Sequence, residues 1–115
     1  MDAKQAPFAA TAPGISALET LLPLSLRLVE DGVISLQEAI ARLTLYPARL
    51  LGMDLGTLAI GAAADLCLFN PDQEWELLPE LMQSRGRNTP FAGWQFTGRT
   101  VMTVYNGKIV FERKT

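Results

Sequence analysis

Thr100-Val-Met-Thr-Val-Tyr105 and Lys108-Ile-Val-Phe111 are two β-type runs separated only by Asn106-Gly107. Both turn residues tolerate positive φ, which a two-residue connection between antiparallel strands demands, so this stretch is predicted to be a hairpin. Working back from it, Thr57-Leu-Ala-Ile60 and Leu66-Cys-Leu-Phe69 are short runs bounded by glycine, aspartate or proline, and each reads as a strand. Glu74-Trp-Glu-Leu-Leu78 reads as a further strand. Residues 79 to 83 form a short helical or irregular stretch, and Ser84-Arg-Gly-Arg-Asn-Thr-Pro90 a loop.

Upstream of residue 55 the pattern is helical. Residues 1 to 15 are rich in Ala and Pro and form an extended lead-in, broken by Pro7, Pro13 and Gly14. Ser16 with Glu19 makes a capping box for a first helix, which Gly32 stops. Pro23 fits this helix poorly. Its leucines (18, 21, 22, 24, 26 and 28) spread around most of the circumference, as in a helix covered on several sides. A chain of 115 residues can hardly provide that cover, so partner surface from a larger protein or an oligomer is expected. Ser35 and Glu38 cap a second helix, amphipathic through Leu36, Ala39, Ile40 and Leu43. Pro47 occupies the first turn of a third, running to Leu51 and closed by Gly52.

Composition excludes several function classes. With 49% hydrophobic and 19% charged residues the chain is made to fold against something. Ten Lys and Arg against twelve Asp and Glu leave a net charge of −2 with no long run of one sign, so neither nucleic acid nor an anionic membrane surface is expected as a partner. No apolar stretch reaches the roughly 18 residues of a membrane span, and the start does not read as a signal peptide. The single cysteine, Cys67, lies in an apolar run and reads as a buried core thiol in a reduced, cytoplasmic setting.

The most restrictive count is that of histidine, which is zero. The commonest metal ligand and the commonest general base are therefore absent. No Ser-His or Cys-His pair is available, and scattered carboxylates with one apolar cysteine do not make a metal site. Asp54, Asp65, Glu74 and Glu76 could pair as acid and base, but nothing in the sequence brings two of them into a cleft. Gly52, Gly56 and Gly61 lack the strand, turn and helix order of a phosphate-binding loop and read as turns. Arg85, Arg87 and Arg99 form a modest basic cluster near Trp94, better explained as solvated charge than as a ligand site.

The order of segments resembles the C-terminal part of bacterial dihydroorotases. The resemblance rests on Ala12-Pro-Gly-Ile-Ser-Ala-Leu-Glu-Thr20, Pro47-Ala-Arg-Leu-Leu-Gly52, Gly56-Thr-Leu-Ala-Ile-Gly61 with Ala64-Asp-Leu66, Arg87-Asn-Thr-Pro-Phe91, Gly98-Arg99 and Asn106-Gly107. It implies an α+β fragment: the terminal helices of a metal-dependent (β/α)8 amidohydrolase barrel followed by the C-terminal part of a small β-sandwich. Residues 1–15 would lead in from the last barrel strand, 16–55 would be barrel-side helices, and 56–115 the sandwich portion.

The family reaction implied is reversible ring closure of carbamoyl aspartate to dihydroorotate, with zinc as the cofactor of the complete enzyme. The metal-binding histidines, the bridging modified lysine and the aspartate that carries the proton would all lie upstream of Met1. The resemblance thus implies no catalytic and no metal-binding residue here. It leaves one substrate-contacting loop, Pro13-Gly14, acting through backbone groups beside the bound ring; read from the residues alone, the same pair is a helix lead-in turn. The implied partners are the rest of the barrel and the small-molecule substrate, with a homo-oligomer or aspartate carbamoyltransferase as further candidates. The competing readings are a piece of a non-catalytic dihydroorotase-like scaffold subunit, or of a related hydantoinase or allantoinase.

Overall fold

The computed structural model describes residues 7–10 and 13–114. A 3-10 turn at Phe8–Ala10 precedes three helices, α1 (Leu21–Glu30), α2 (Leu36–Leu43) and α3 (Leu45–Leu50). Three strands follow, β1 (Leu66–Glu76), β2 (Gln95–Tyr105) and β3 (Lys108–Glu112), with a 3-10 turn at Pro79–Leu81 between β1 and β2. The sheet is antiparallel in the order β1-β2-β3. The expected hairpin is present, with Asn106 at φ 50° and Gly107 at φ 77°. Its N-terminal flank is secured by Asp65, whose Oδ1 accepts from the Asn106 N–H at 2.8 Å.

Helix α1 begins five residues later than Ser16. Thr20 stands at its N-cap without a side-chain cap, the Ser16 N–H donates instead to the Asn88 carbonyl at 2.7 Å, and the Glu19 carboxylate turns away to another partner. This start also resolves the misfit of Pro23. It falls at the third helical position, where an N–H would have no intrahelical acceptor. At the other end the Gly32 N–H bonds the Val29 carbonyl and the Val33 N–H the Leu28 carbonyl, the two bonds of a Schellman stop. Ser35 caps α2 as expected, its Oγ accepting from the Glu38 N–H at 3.1 Å. The Glu38 carboxylate does not return the bond, because Arg42 and Tyr46 occupy it.

The run at 66–69 and the first three residues of the run at 74–78 join into one strand, which ends at Glu76. Its pairing with β2 shifts between Leu68 and Phe69 and again between Asn70 and Glu74, and the second irregularity holds Pro71, which cannot donate to a ladder. The run Thr57–Ile60 is not a strand here. Within the described residues no neighbour pairs with its backbone, and Leu58 and Ile60 stand in solvent at 84% and 107% exposure.

The core lies between α1 and the C-terminal part of β1 with β2. Leu77, Met82 and Phe96 are buried, with Leu24, Trp75 and Phe91 against them. Ring centroids of Trp75 and Phe96 lie 5.5 Å apart, and those of Phe91 and Trp94 4.9 Å apart edge to face, the arrangement aromatic quadrupoles favour. Arg27 of α1 spans the same cluster, its guanidinium 5.1 Å from the Trp94 ring centre and donating to the Gln95 carbonyl. Gly98 allows α1 this close to β2: it sits at φ +99°, and a Cβ there would come within 2.2 Å of Leu26 Cδ1.

Much apolar surface lies outside this core. Leu21 and Leu28 of α1 are exposed, as are Leu50, Leu51 and Met53 beyond it. Cys67 is exposed too, contrary to a core thiol, since no described element covers its part of β1.

Candidate functional site

Pro13 and Gly14 are exposed at the surface, with Gly14 at φ 63°. One side chain from the far end of the chain holds them. Asn88 Nδ2 donates to the Pro13 carbonyl at 3.2 Å and to the Gly14 carbonyl at 3.0 Å, while the Asn88 carbonyl accepts from the Ser16 N–H. Asn88 Oδ1 is buried and has no hydrogen-bond partner. The neighbouring side chains fix the segment that carries it. Thr89 is buried and its Oγ1 accepts from the Phe91 N–H, and Arg87 donates to the Pro79 carbonyl. The resemblance singled out Arg87-Asn-Thr-Pro-Phe91 and Pro13-Gly14 separately; the fold makes them one unit.

A second clasp lies beside it. Glu19 Oε1 accepts from the Gln83 N–H at 3.0 Å and Oε2 from the Ser84 N–H at 2.9 Å. A carboxylate read as a helix cap instead ties the lead-in of α1 to the loop before Asn88. Charge-assisted bonds of this kind are the stronger class, so the Pro13–Thr20 segment is held at both of its halves.

Behind Glu19 a cleft of about 240 Å³ opens between the start of α1 and the sheet, walled by Leu18, Leu22, Leu81 and Phe111 and holding Arg99 and Arg113. The Arg99 guanidinium lies 4.6 Å from the Trp75 ring centre, and Trp75 Nε1 donates to the Gly98 carbonyl at 2.8 Å. Burial pushes the Arg99 pKa down and the charge of Arg113 pushes it further, with Glu19 partly opposing. Arg113 Nε donates to the Thr100 carbonyl at 3.0 Å. Of the expected basic cluster, Arg87 and Arg99 are engaged away from Trp94. Arg87 is engaged at Pro79, Arg99 lies on Trp75, and the cation over Trp94 is Arg27.

Among the described residues no three His, Cys, Asp or Glu side chains come together as metal ligands. Asp65 is used in the hairpin flank. The donor set here does not fit a zinc site. It lacks imidazole, and its one thiol lies on an open part of β1. No helix among the described residues is long and apolar enough to cross a membrane.

A dihydroorotase from Syntrophotalea carbinolica is 46% identical over 110 residues, which are 96% of this chain and 26% of that protein. A dihydroorotase-like protein from Pseudomonas aeruginosa is 49% identical over 111 residues, again 96% of this chain and 26% of the relative. The solved L-hydantoinase (dihydropyrimidinase) from Arthrobacter aurescens superposes with a TM-score of 0.83 at 31% identity, covering 93% of this chain and 24% of that one. The chain thus spans about a quarter of the length of the relatives it matches. The amidohydrolase family model matches residues 9–110. A match over that much of the chain, with relatives approaching half identity along it, makes the chain a member of the amidohydrolase family.

Proposed function

We propose that this chain is the C-terminal quarter of a dihydroorotase, which interconverts carbamoyl aspartate and dihydroorotate in pyrimidine biosynthesis, and that it has no activity alone. Residues 1–15 would lead in from the last strand of a (β/α)8 barrel, 16–55 would lie against the barrel, and 56–115 would form part of a small β-sandwich. The observation that carries the reading is the double clasp of Pro13 and Gly14 by Asn88. A loop tied at two successive carbonyls is already ordered, so presenting its backbone edge to a small planar ring costs little further conformational entropy. In the complete enzyme zinc supplies the Lewis-acid chemistry. This chain contributes no ligand to it; its part is to hold one wall of the substrate site and to shield the barrel from water.

The test is to assay the complete polypeptide for dihydroorotate formation from carbamoyl aspartate, with hydantoin hydrolysis as the control. Dihydroorotate formation well above hydantoin hydrolysis is expected, and preferential hydantoin hydrolysis would assign the protein to the hydantoinase branch. A second reading draws on the 49% identity to the Pseudomonas aeruginosa dihydroorotase-like protein. In that reading the complete protein is a non-catalytic scaffold for aspartate carbamoyltransferase. Absence of metal-binding histidines from the complete polypeptide, with neither activity present, selects it.

A further inference from the structure

The cleft between α1 and the sheet holds two cations, and the two carboxylates that line it, Glu19 and Glu76, form no ion pair with either. Arg99 Nε is buried without an acceptor, and the only ion pair among the described residues is Arg42–Glu38, on α2. Glu19 is the carboxylate nearest in effect to Arg99, but both of its oxygens already accept backbone N–H groups at 3.0 and 2.9 Å. Arg99 is fixed in place by its stacking on Trp75, and Arg113 by its bond to the Thr100 carbonyl, so neither guanidinium is free to swing out to water. A buried guanidinium donor left unpaired is costly, and a second cation beside it adds repulsion; one carboxylate relieves both.

The walls indicate what carries that carboxylate. Leu18 and Leu81 line the cleft yet are 87% and 65% exposed, so apolar surface surrounds the charged floor. A free anion would leave those leucines in water, whereas an Asp or Glu flanked by apolar residues would cover them while reaching the arginines. Relatives of this chain are about four times its length, so most of the polypeptide that could supply such a segment lies outside it.

We propose that the Arg99–Arg113 cleft is a docking site for a carboxylate side chain borne on an apolar segment of the polypeptide outside these 115 residues. The proposal shares with the proposed function only the premise that the chain works within a longer polypeptide. Whether that polypeptide is a dihydroorotase does not affect it.

The experiment titrates the 115-residue chain with the capped peptide acetyl-Leu-Glu-Leu-amide, its Gln counterpart, and acetate alone, following the Trp75 indole N–H by NMR. The Glu peptide is expected to bind at least tenfold more tightly than the Gln peptide and acetate, and more weakly at high salt. Arg99→Gln and Arg113→Gln should each remove the preference for Glu. If Arg99→Gln does not fold, Arg113→Gln and Arg99→Lys carry the test, the latter losing the fork geometry while keeping the charge. Equal binding of the Glu and Gln peptides would overturn the proposal. So would acetate binding as tightly as the Glu peptide, which would make the site one for free anions.

Discussion

Replacing Gly98 by Ala tests how tightly α1 is seated on the sheet. The new Cβ would lie 2.2 Å from Leu26 Cδ1 and 3.6 Å from Leu26 Cγ, so Leu26 or the helix must move. Leu26 is only 6% exposed, which leaves its side chain little room to rotate away. Overpacking of this kind costs about 1–3 kcal/mol. Holding a non-glycine residue at φ +99° adds about 1–2 kcal/mol. Lower entropy of the unfolded chain returns roughly 0.4–1 kcal/mol. The net loss is about 1–5 kcal/mol, or roughly 4–20 °C in thermal midpoint at about 4 °C per kcal/mol for a chain of this size. Gly107→Ala is the control: it has φ +77° but nothing within 4 Å of a Cβ, so it carries the backbone strain alone. Urea unfolding followed by tryptophan fluorescence compares the two. Equal losses for the two variants would refute the claim that Gly98 is required by the contact with Leu26.

Asn88→Ala removes both bonds to the Pro13 and Gly14 carbonyls, so amide exchange at Gly14 to Ser16 should rise while that of β2 and β3 is unchanged; hydrogen-exchange mass spectrometry reads the difference. Asn88→Asp places a carboxyl against those two carbonyl oxygens, which raises its pKa in the folded state above the usual Asp value of about 3.9. The variant should thus come closest to wild-type stability below that value and lose stability as pH rises through the raised pKa, measured by urea midpoints across pH. Ser35→Ala removes the α2 cap and should cost about 1 kcal/mol by the same unfolding assay. Ile60→Lys, at a fully exposed position, should change stability by less than about 0.5 kcal/mol while reducing self-association in sedimentation velocity.

The parts of this fold that could be read from sequence are those whose signal is local. Asn106-Gly107 forms its hairpin, and Ser35 caps α2, through atoms within a few residues of each other. Ser16 with Glu19 carries the same cap pattern and does not cap. The partners that capture them, Asn88 for Ser16 and Gln83 with Ser84 for Glu19, lie more than sixty residues away. Thr57–Ile60 has strand composition without a strand, because a strand needs a neighbour and the described residues provide none. The same reason exposes Cys67 in an apolar run. Of the site, Pro13 and Gly14 were singled out by resemblance, but Asn88 as their clasp depends on a contact across 74 and 75 residues that no local pattern encodes. The pairing of Arg99 with Trp75 rather than Trp94 depends likewise on strand register.

The most direct measurement is metal content and turnover of the purified 115-residue chain, by elemental analysis and by carbamoyl aspartate cyclisation in the presence of added zinc. A chain that shields and completes an active site whose reactive groups lie elsewhere should hold no stoichiometric zinc and form no dihydroorotate. One tightly bound zinc per chain, or cyclisation above the uncatalysed rate, would contradict that account.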